Sequence, residues 1–163
     1  MFKSPILAVV VFLIRQDPDG GGREQIFLPM ITSGYCTFFR NGPGGKQEPG
    51  ESPKTCAVRE MWEETKVRVD INSLELIALL QHLQPGSHYE VSFFTCHSWT
   101  GTPQKTKSAD PANAWFPIFT PPFKQMLPDF PLWFPTWLSL RAPIKVEVAS
   151  SGGTIRSCAI GTM

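Results

Sequence analysis

The sequence predicts an α/β protein, an α/β/α sandwich in which one helix covers each side of a central sheet. Three observations favour this class. Residues 6–14 form an apolar run rich in β-branched side chains, residues 52–65 and 133–141 have helical patterns, and several strand-like segments lie between and after them. The length of 163 residues is typical of one domain, so we expect a single domain over 1–163.

The apolar run from Ile6 to Ile14 is interpreted as a buried central strand. Lys3 before it makes a secretory segment the alternative. The run ends in Arg15 and further polar residues without a small-residue cleavage site, and it is too short to cross a bilayer. No other segment has the length of a membrane span, so we expect no membrane association.

The first half of the chain alternates turn signals with regular elements. Residues 17–22 predict a turn, residues 25–30 a strand, and the Gly- and Pro-rich residues 34–50 a loop. Ser52 is a good N-cap and Pro53 suits the first helical position, which predicts the helix 52–65.

The second half predicts a sheet, a helix and a terminal hairpin. The expected elements are strands 74–83 and 91–99 around a turn at Pro85, a helix at 133–141, and strands 145–148 and 154–160 joined through 150–153.

Charge and cysteine content exclude several functions. Fifteen Lys and Arg balance 14 Asp and Glu, so the basic excess typical of a protein that binds nucleic acid polymers is missing. The scattered cysteines and the three histidines do not have the spacing of metal ligands. We expect reduced cysteines in the cytoplasm, with a disulfide framework as the alternative. The cysteines are Cys36, Cys56, Cys96 and Cys158.

The helix 52–65 carries the most informative pattern. Glu60, Glu63 and Glu64 stand at i, i+3 and i+4, which places three carboxylates on one helix face. Oxygen ligands of this kind suit Mg²⁺, with Mn²⁺ as a substitute, and Arg59 can grip a neighbouring carboxylate with two hydrogen bonds. The alternative is an acidic helix face that only contacts solvent.

The segment resembles the box of the Nudix hydrolases, Gly-x5-Glu-x7-Arg-Glu-U-x-Glu-Glu-x-Gly-U, where U is bulky and apolar. Lys66 replaces the second glycine and is expected to affect the helix end more than catalysis. A Walker phosphate loop is excluded, because Gln47 follows Lys46 and the glycine spacing differs. The matching residues are Gly45, Glu51, Arg59, Glu60, Met61, Glu63, Glu64 and Val67.

Outside the box, the chain is similar to the MutT-type branch of the family. Among the members of that branch, it resembles the animal 8-oxo-dGTP diphosphatases. Residues 40–46, 101–103, 115–116, 122–129 and 133–135 carry this likeness in the same order. The resemblance implies a Nudix α/β/α sandwich with a mixed sheet. It also implies hydrogen bonds from Asn41 and Asp129 to the purine edge, and a pocket lined by Tyr35 and Trp133.

Three further positions bear on the preferred base and on the metal site. Leu127 and Phe130 stand where those enzymes have a Trp and a second Asp, so the preferred base is left open, although Leu127 is still expected in the base pocket. Asp110 falls where that branch has an additional acidic residue near the metal.

The resemblance implies hydrolysis of an oxidised purine nucleoside triphosphate to the monophosphate and pyrophosphate, which would sanitise the nucleotide pool. Glu60 or Glu64 would act as the general base, and Lys46 or Arg23 could contact phosphates. Two alternatives stay open: a Nudix hydrolase of another nucleoside diphosphate derivative, and a catalytically silent nucleotide-binding module. The expected Mg²⁺ ligands are Gly44, Glu60, Glu63, Glu64 and Asp110.

Overall fold

The computed structural model describes residues 3–163, which form twelve strands, two α-helices and two short 3₁₀ segments, 71–73 and 123–125. The helices are α1 (Pro53–Thr65) and α2 (Phe130–Leu140). The strands are β1 (Ile6–Gln16), β2 (Glu24–Phe27), β3 (Met30–Ile31), β4 (Gly44–Lys46), β5 (Arg68–Val69), β6 (Leu74–Gln84), β7 (Ser87–Cys96), β8 (Trp99–Thr100), β9 (Ala109–Asp110), β10 (Trp115–Pro117), β11 (Ile144–Ser151) and β12 (Thr154–Thr162).

The main sheet is mixed, as the resemblance implied. Its order is β10-β2-β1-β7-β6-β11-β12, and β4 pairs with β1 beside β2. The pairs β1–β7 and β6–β11 are parallel, whereas β6–β7 and β11–β12 are antiparallel hairpins. Two small ladders, β3–β9 and β5–β8, lie off this sheet.

The strand β1 separates two apolar cores, because its side chains alternate between the two sheet faces. Val9, Val11 and Leu13 pack against buried residues of α1. Phe12 and Ile14 pack with the aromatic residues of α2. One helix therefore covers each face, and the predicted sandwich is confirmed.

Helix α1 begins and ends as the sequence predicts. The Ser52 hydroxyl accepts from the backbone N–H of Thr55 at 3.1 Å, and Pro53 occupies the first turn. Lys66 adopts the left-handed conformation with φ of 61° and donates its N–H to the Trp62 carbonyl. The lysine in the glycine position therefore keeps the helix-ending geometry, at the cost on the order of 1 kcal/mol for a side chain in this region.

Helix α2 begins at Phe130, three residues before the predicted start at 133. Pro131 lies in its first turn, where the missing N–H is tolerated. Asp129 occupies the cap position, yet its side chain makes no capping hydrogen bond. Its carboxylate is engaged elsewhere, as the site shows.

Several other predicted bounds change. The predicted strand 25–30 is divided into β2 and β3 around Leu28 and Pro29, because the proline cannot donate to a ladder. The predicted loop 34–50 contains β4, and the predicted strand 91–99 instead spans Ser87–Cys96. The terminal turn is reduced to Gly152 and Gly153, both at positive φ.

No helix within residues 3–163 is long and apolar enough to cross a membrane. All four cysteines are free thiols, which agrees with the expectation of reduced cysteines.

Candidate active site

One cavity of about 330 Å³ brings most of the predicted site residues together. Its walls come from β1, β4, α1, the loop 33–36, the β6–β7 hairpin and the segment 127–130, which leads into α2. Its volume is typical of a site for a small molecule. One end contains Glu60 and Glu64, and Asp129 also lines the cavity with the apolar side chains of the sheet.

Arg59 does not line the cavity and is the centre of a charged network beside Glu60. Its guanidinium donates two hydrogen bonds to Glu51, at 2.8 and 2.9 Å, and one to Glu60 at 2.8 Å. It also donates to Glu63 at 3.2 Å and to the Lys46 carbonyl at 3.2 Å. The two parallel bonds to Glu51 have the fork geometry that makes arginine–carboxylate pairs strong, and they connect α1 to the loop before it.

The glycines of β4 allow the two inner carboxylates to lie against the backbone. A Cβ atom on Gly45 would overlap the Glu60 carboxylate. The N–H of Gly44 donates to Glu64 Oε2 at 3.2 Å, while a Cβ on Gly44 would overlap the Val9 carbonyl. Because neither position has room for a side chain, these glycines allow α1 to approach the edge of β1.

The pKa values of the carboxyls differ along this network. Hydrogen bonding to Arg59 lowers the pKa of Glu51 to about 2. Burial, with smaller contributions from the charges of Glu60 and Glu63, raises the pKa of Glu64 to about 7, against the lowering effect of the hydrogen bond from the Gly44 N–H. Burial also raises the pKa of Glu60, against the lowering effect of Arg59. Glu60 and Glu64 are therefore two buried carboxylates whose negative charge is not fully compensated. Such a pair at one end of a cavity suits the binding of a divalent cation.

The three glutamates predicted to share one helix face do not share one environment. Glu60 and Glu64 line the cavity, whereas the Glu63 side chain is 55% exposed, lies outside the cavity lining and is held by Arg59. Within residues 3–163 no group of three or more His, Cys, Asp or Glu side chains is gathered around a single point as a metal site. Glu60 and Glu64, at i and i+4, lie on the inner side of this helix face, whereas Glu63, at i+3, lies on its solvent side.

The polar residues predicted to recognise the base are buried at the cavity wall. Asn41 is 3% exposed and accepts from the N–H of Gly42 at 2.8 Å, and its side-chain amide points toward Cys36 Sγ at 3.6 Å. Asp129 is 6% exposed, and burial raises the pKa of its carboxyl. Both residues line the cavity, as the sequence predicts.

Trp133 does not line the cavity, and this differs from the prediction. It has no exposed surface and packs against Phe93, Phe130 and Phe134 in the core. Its indole N–H donates to Asp129 Oδ2 at 2.9 Å, one helical turn away. Because α2 begins earlier than predicted, the indole lies behind Asp129 and positions it, instead of forming a wall for the base.

The remaining predicted contacts divide between the cavity and the surface. Tyr35 lies at the mouth, 59% exposed, with its ring 5.6 Å from that of Tyr89. Lys46 and Leu127 line the cavity, and Phe130 contributes a wall as well as core packing.

Asp110 is not brought to the cavity. It pairs with Met30 in the β3–β9 ladder, accepts from the N–H of Ala112, and forms an ion pair with Lys105 at 2.8 Å. The Lys105 side chain is 71% exposed, so this is a surface pair. A metal role for Asp110 receives no support from this position.

The sequence reasoning missed cavity residues on the β6–β7 hairpin. Leu80, His82, Tyr89 and Phe93 all line the cavity. Strand alternation would have placed Leu80 with His82 on one face and Tyr89 with Phe93 on one face, although it could not say that these faces form one wall.

Comparison with known proteins identifies the architecture. The profile of the NUDIX domain matches residues 5–130, which is most of the chain. The chain belongs to the Nudix hydrolase family. It is therefore an enzyme of the class to which its box is similar, and the resemblance noted from the sequence is confirmed.

Among the family members, two relatives named oxidized purine nucleoside triphosphate hydrolase match over most of their length. The Danio rerio protein is 33% identical over 140 residues, which cover 85% of this chain and 82% of the relative. The Mus musculus protein is 32% identical over 117 residues, covering 71% and 72% respectively. Among solved Nudix structures, the mutator MutT protein of Bacillus halodurans has the same fold, with a TM-score of 0.74 at 18% identity over 95% of this chain and 97% of that one.

Proposed function

We propose that this Nudix hydrolase cleaves oxidised purine nucleoside triphosphates to the monophosphate and pyrophosphate, in a Mg²⁺-dependent reaction that sanitises the nucleotide pool. The observation that carries the proposal is the single cavity that joins two inner glutamates, Glu60 and Glu64, to a wall with two buried polar side chains, Asn41 and Asp129. The names of the two relatives from Danio rerio and Mus musculus support the same substrate class.

The charged end suits the triphosphate. Glu60 and Glu64 would hold a divalent cation, with the Gly44 carbonyl as a further candidate ligand and Glu63 as an outer partner. When bound, Mg²⁺ neutralises phosphate charge and lowers the pKa of coordinated water. The side chain of Lys46, also in the cavity wall, is placed to contact phosphate oxygens.

The proton that leaves the attacking water needs an acceptor in the same end. Glu60 and Glu64 are the carboxylates in the cavity wall, and one of them would act as the general base. Arg59 would act as a positioning residue, since its hydrogen bonds fix Glu60 and Glu51 relative to α1.

The wall that contains Asn41 and Asp129 suits a planar, polar base. Phe93, Phe130 and Leu127 provide apolar surface, while Asn41 and Asp129 offer hydrogen-bonding groups to the base edge. Buried polar groups that stay unpaired penalise the wrong ligand strongly, so this pair would discriminate between bases.

The test is a steady-state screen of normal and oxidised deoxynucleoside triphosphates with Mg²⁺, measuring pyrophosphate and monophosphate. We expect an oxidised purine triphosphate to have the highest kcat/KM, and EDTA to abolish turnover. Preference for a pyrimidine triphosphate or a nucleotide sugar would contradict the substrate class. The comparison between these nucleotides is decisive, because Leu127 and Phe130 stand where the related enzymes have other residues.

A further inference from the structure

The β6–β7 hairpin forms a wall of the cavity that is apolar except at one end. Leu80 on β6 and Val91 and Phe93 on β7 provide the apolar part. His82 and Tyr89, which are direct cross-strand partners, provide the polar end. A histidine in an otherwise apolar wall is the feature that the proposed chemistry does not use.

A hydrogen bond from the neighbouring strand fixes the His82 ring. Its Nε2 atom lies 2.7 Å from the hydroxyl oxygen of Ser150 on β11. Val148 is the register partner of His82 in the parallel β6–β11 pair, and Ser150 lies two residues further along the same strand. Within residues 3–163 this is the one hydrogen bond of the His82 ring, so Nδ1 has no partner there.

The same cavity contains the Asp129 carboxyl, close enough for the charge of His82 to affect it. The indole N–H of Trp133 donates to Asp129 Oδ2. His82 lowers the pKa of Asp129, against the larger raising effect of burial. The imidazole and the carboxyl therefore offer two different hydrogen-bonding groups to whatever occupies the base end.

We propose that His82 is a specificity-determining residue that contacts the base through Nδ1, with its ring oriented by Ser150. The inference rests on the proposed function, because it assigns a further contact to the same base pocket. An imidazole can offer either a donor or an acceptor at Nδ1, and a bond to one base that is missing for another discriminates between them.

A structural role is the alternative. The bond between His82 and Ser150 also joins β6 to β11, and removal of a bond that only aligned these strands would lower stability and affect all substrates equally. A change in the ratio of kcat/KM between bases would not follow from such a role.

The first experiment compares wild type with His82→Phe, which keeps a planar ring without nitrogen atoms. We expect the ratio of kcat/KM for 8-oxo-dGTP to kcat/KM for dGTP to change about tenfold, mainly through KM, with Tm nearly unchanged. His82→Gln provides a second variant that retains hydrogen bonding if the Phe variant does not fold. Ser150→Ala should shift the ratio in the same direction by less, and His97→Gln, at an exposed histidine, should leave it unchanged.

The second experiment observes binding without turnover. The chain has three histidines, so their ring signals are assignable by NMR through single variants. Addition of 8-oxo-dGMP should shift the His82 ring signals and leave those of His97 in place.

The outcomes separate the two proposals. A wild-type enzyme that discriminates between bases, together with an unchanged ratio in His82→Phe, would overturn the role of His82 and leave the proposed function intact. A uniform fall for all substrates with a lower Tm would assign His82 a structural role. A wild-type protein that turns over no purine triphosphate would overturn both.

Discussion

The carboxylates that Arg59 binds beside the cavity and the carboxyl of Asp129 in the cavity wall are held in opposite ways. Arg59 binds Glu51 and Glu63, which lie outside the cavity lining, and Glu60, which belongs to it, through charge-assisted hydrogen bonds. In the base wall, Asp129 is more deeply buried and has only neutral donors, the indole of Trp133 and its own backbone N–H. Arg59 lowers the pKa of Glu51 to about 2, whereas burial raises the pKa of the carboxyls that line the cavity, Glu60, Glu64 and Asp129.

This contrast separates groups suited to aligning the triphosphate from groups suited to discriminating between bases. Charge-assisted bonds hold α1 and the preceding loop in a fixed arrangement, which suits groups that must align a triphosphate. An incompletely compensated carboxyl in an apolar wall is costly unless a ligand supplies the missing partner, which suits discrimination. Changes at the charged end should therefore reduce kcat and stability, and changes at the base end should act on KM.

The largest expected effect is loss of turnover in Glu64→Gln. The amide can still accept from the Gly44 N–H, so the fold should persist, while the anionic ligand and base are lost. We expect kcat to fall by about 100- to 1000-fold in Mg²⁺-dependent pyrophosphate release. Glu63→Gln is the matched comparison, and at an exposed position outside the cavity it should cost about tenfold less. Equal losses in the two variants would show that α1 presents Glu63 to the substrate as well.

The second effect is loss of stability in Arg59→Met. The variant leaves Glu51 and Glu60 without their shared donor, and we expect the free energy of unfolding to fall by about 2 kcal/mol. This corresponds to a decrease in Tm of about 4–8 °C for a chain of this size. The control is Arg68→Met, whose guanidinium stacks on the Trp62 ring at 4.1 Å. Similar thermal unfolding of both variants would argue against a central role for Arg59.

A smaller effect is expected at the base end from Trp133→Phe. The substitution keeps an aromatic ring in the core but removes the donor to Asp129 Oδ2. We expect KM for the preferred triphosphate to rise about tenfold with kcat nearly unchanged, because an oriented acceptor is lost. Trp137→Phe, in the same helix, controls for packing. An unaltered KM would show that Asp129 is held by packing alone.

The smallest effect concerns pH, and the contributions of Glu51 and Asp129 to stability should respond with opposite sign. The contribution of Glu51, whose folded pKa is lowered, is present above the unfolded carboxyl pKa of about 4 and is lost as pH falls toward about 2. The contribution of Asp129, whose folded pKa is raised, is complete below about pH 4 and is lost as pH rises through the raised value.

Urea unfolding of metal-free protein between pH 2 and 8 measures both. Relative to wild type, Glu51→Gln should lose stability mainly at the higher pH values, whereas Asp129→Asn, whose amide resembles the protonated carboxyl, should gain stability there. Parallel profiles for the two variants would contradict the difference between Glu51 and Asp129.

Much of the fold follows from local signals in the sequence. The β-branched run of β1, the Ser52 cap and the Gly152–Gly153 turn each depend on neighbours along the chain, and each lies where it was predicted. The element bounds that changed depend on tertiary context: β4 forms because it pairs with β1, although its own residues are Gly, Gly and Lys.

The candidate site likewise has features that local sequence predicts and features that depend on tertiary contacts. The box predicts that Arg59 and the three glutamates share a helix, because side-chain spacing on a helix is a local property. Which glutamates reach the cavity depends on how α1 lies against β1 and β4, and Glu63 is the one left outside. Asp110 was predicted near the metal, and the β3–β9 ladder leads it to a surface ion pair instead.

By itself, the sequence determined the family, the central strand and the helix that carries Arg59, Glu60 and Glu64, because periodicity, caps and motif spacing act over a few residues. Only the tertiary structure decided that Trp133 lies behind Asp129 and that His82 enters the cavity wall beside it. These contacts join elements that are far apart in the chain, and sheet order and the start of α2 set them, which no local pattern encodes.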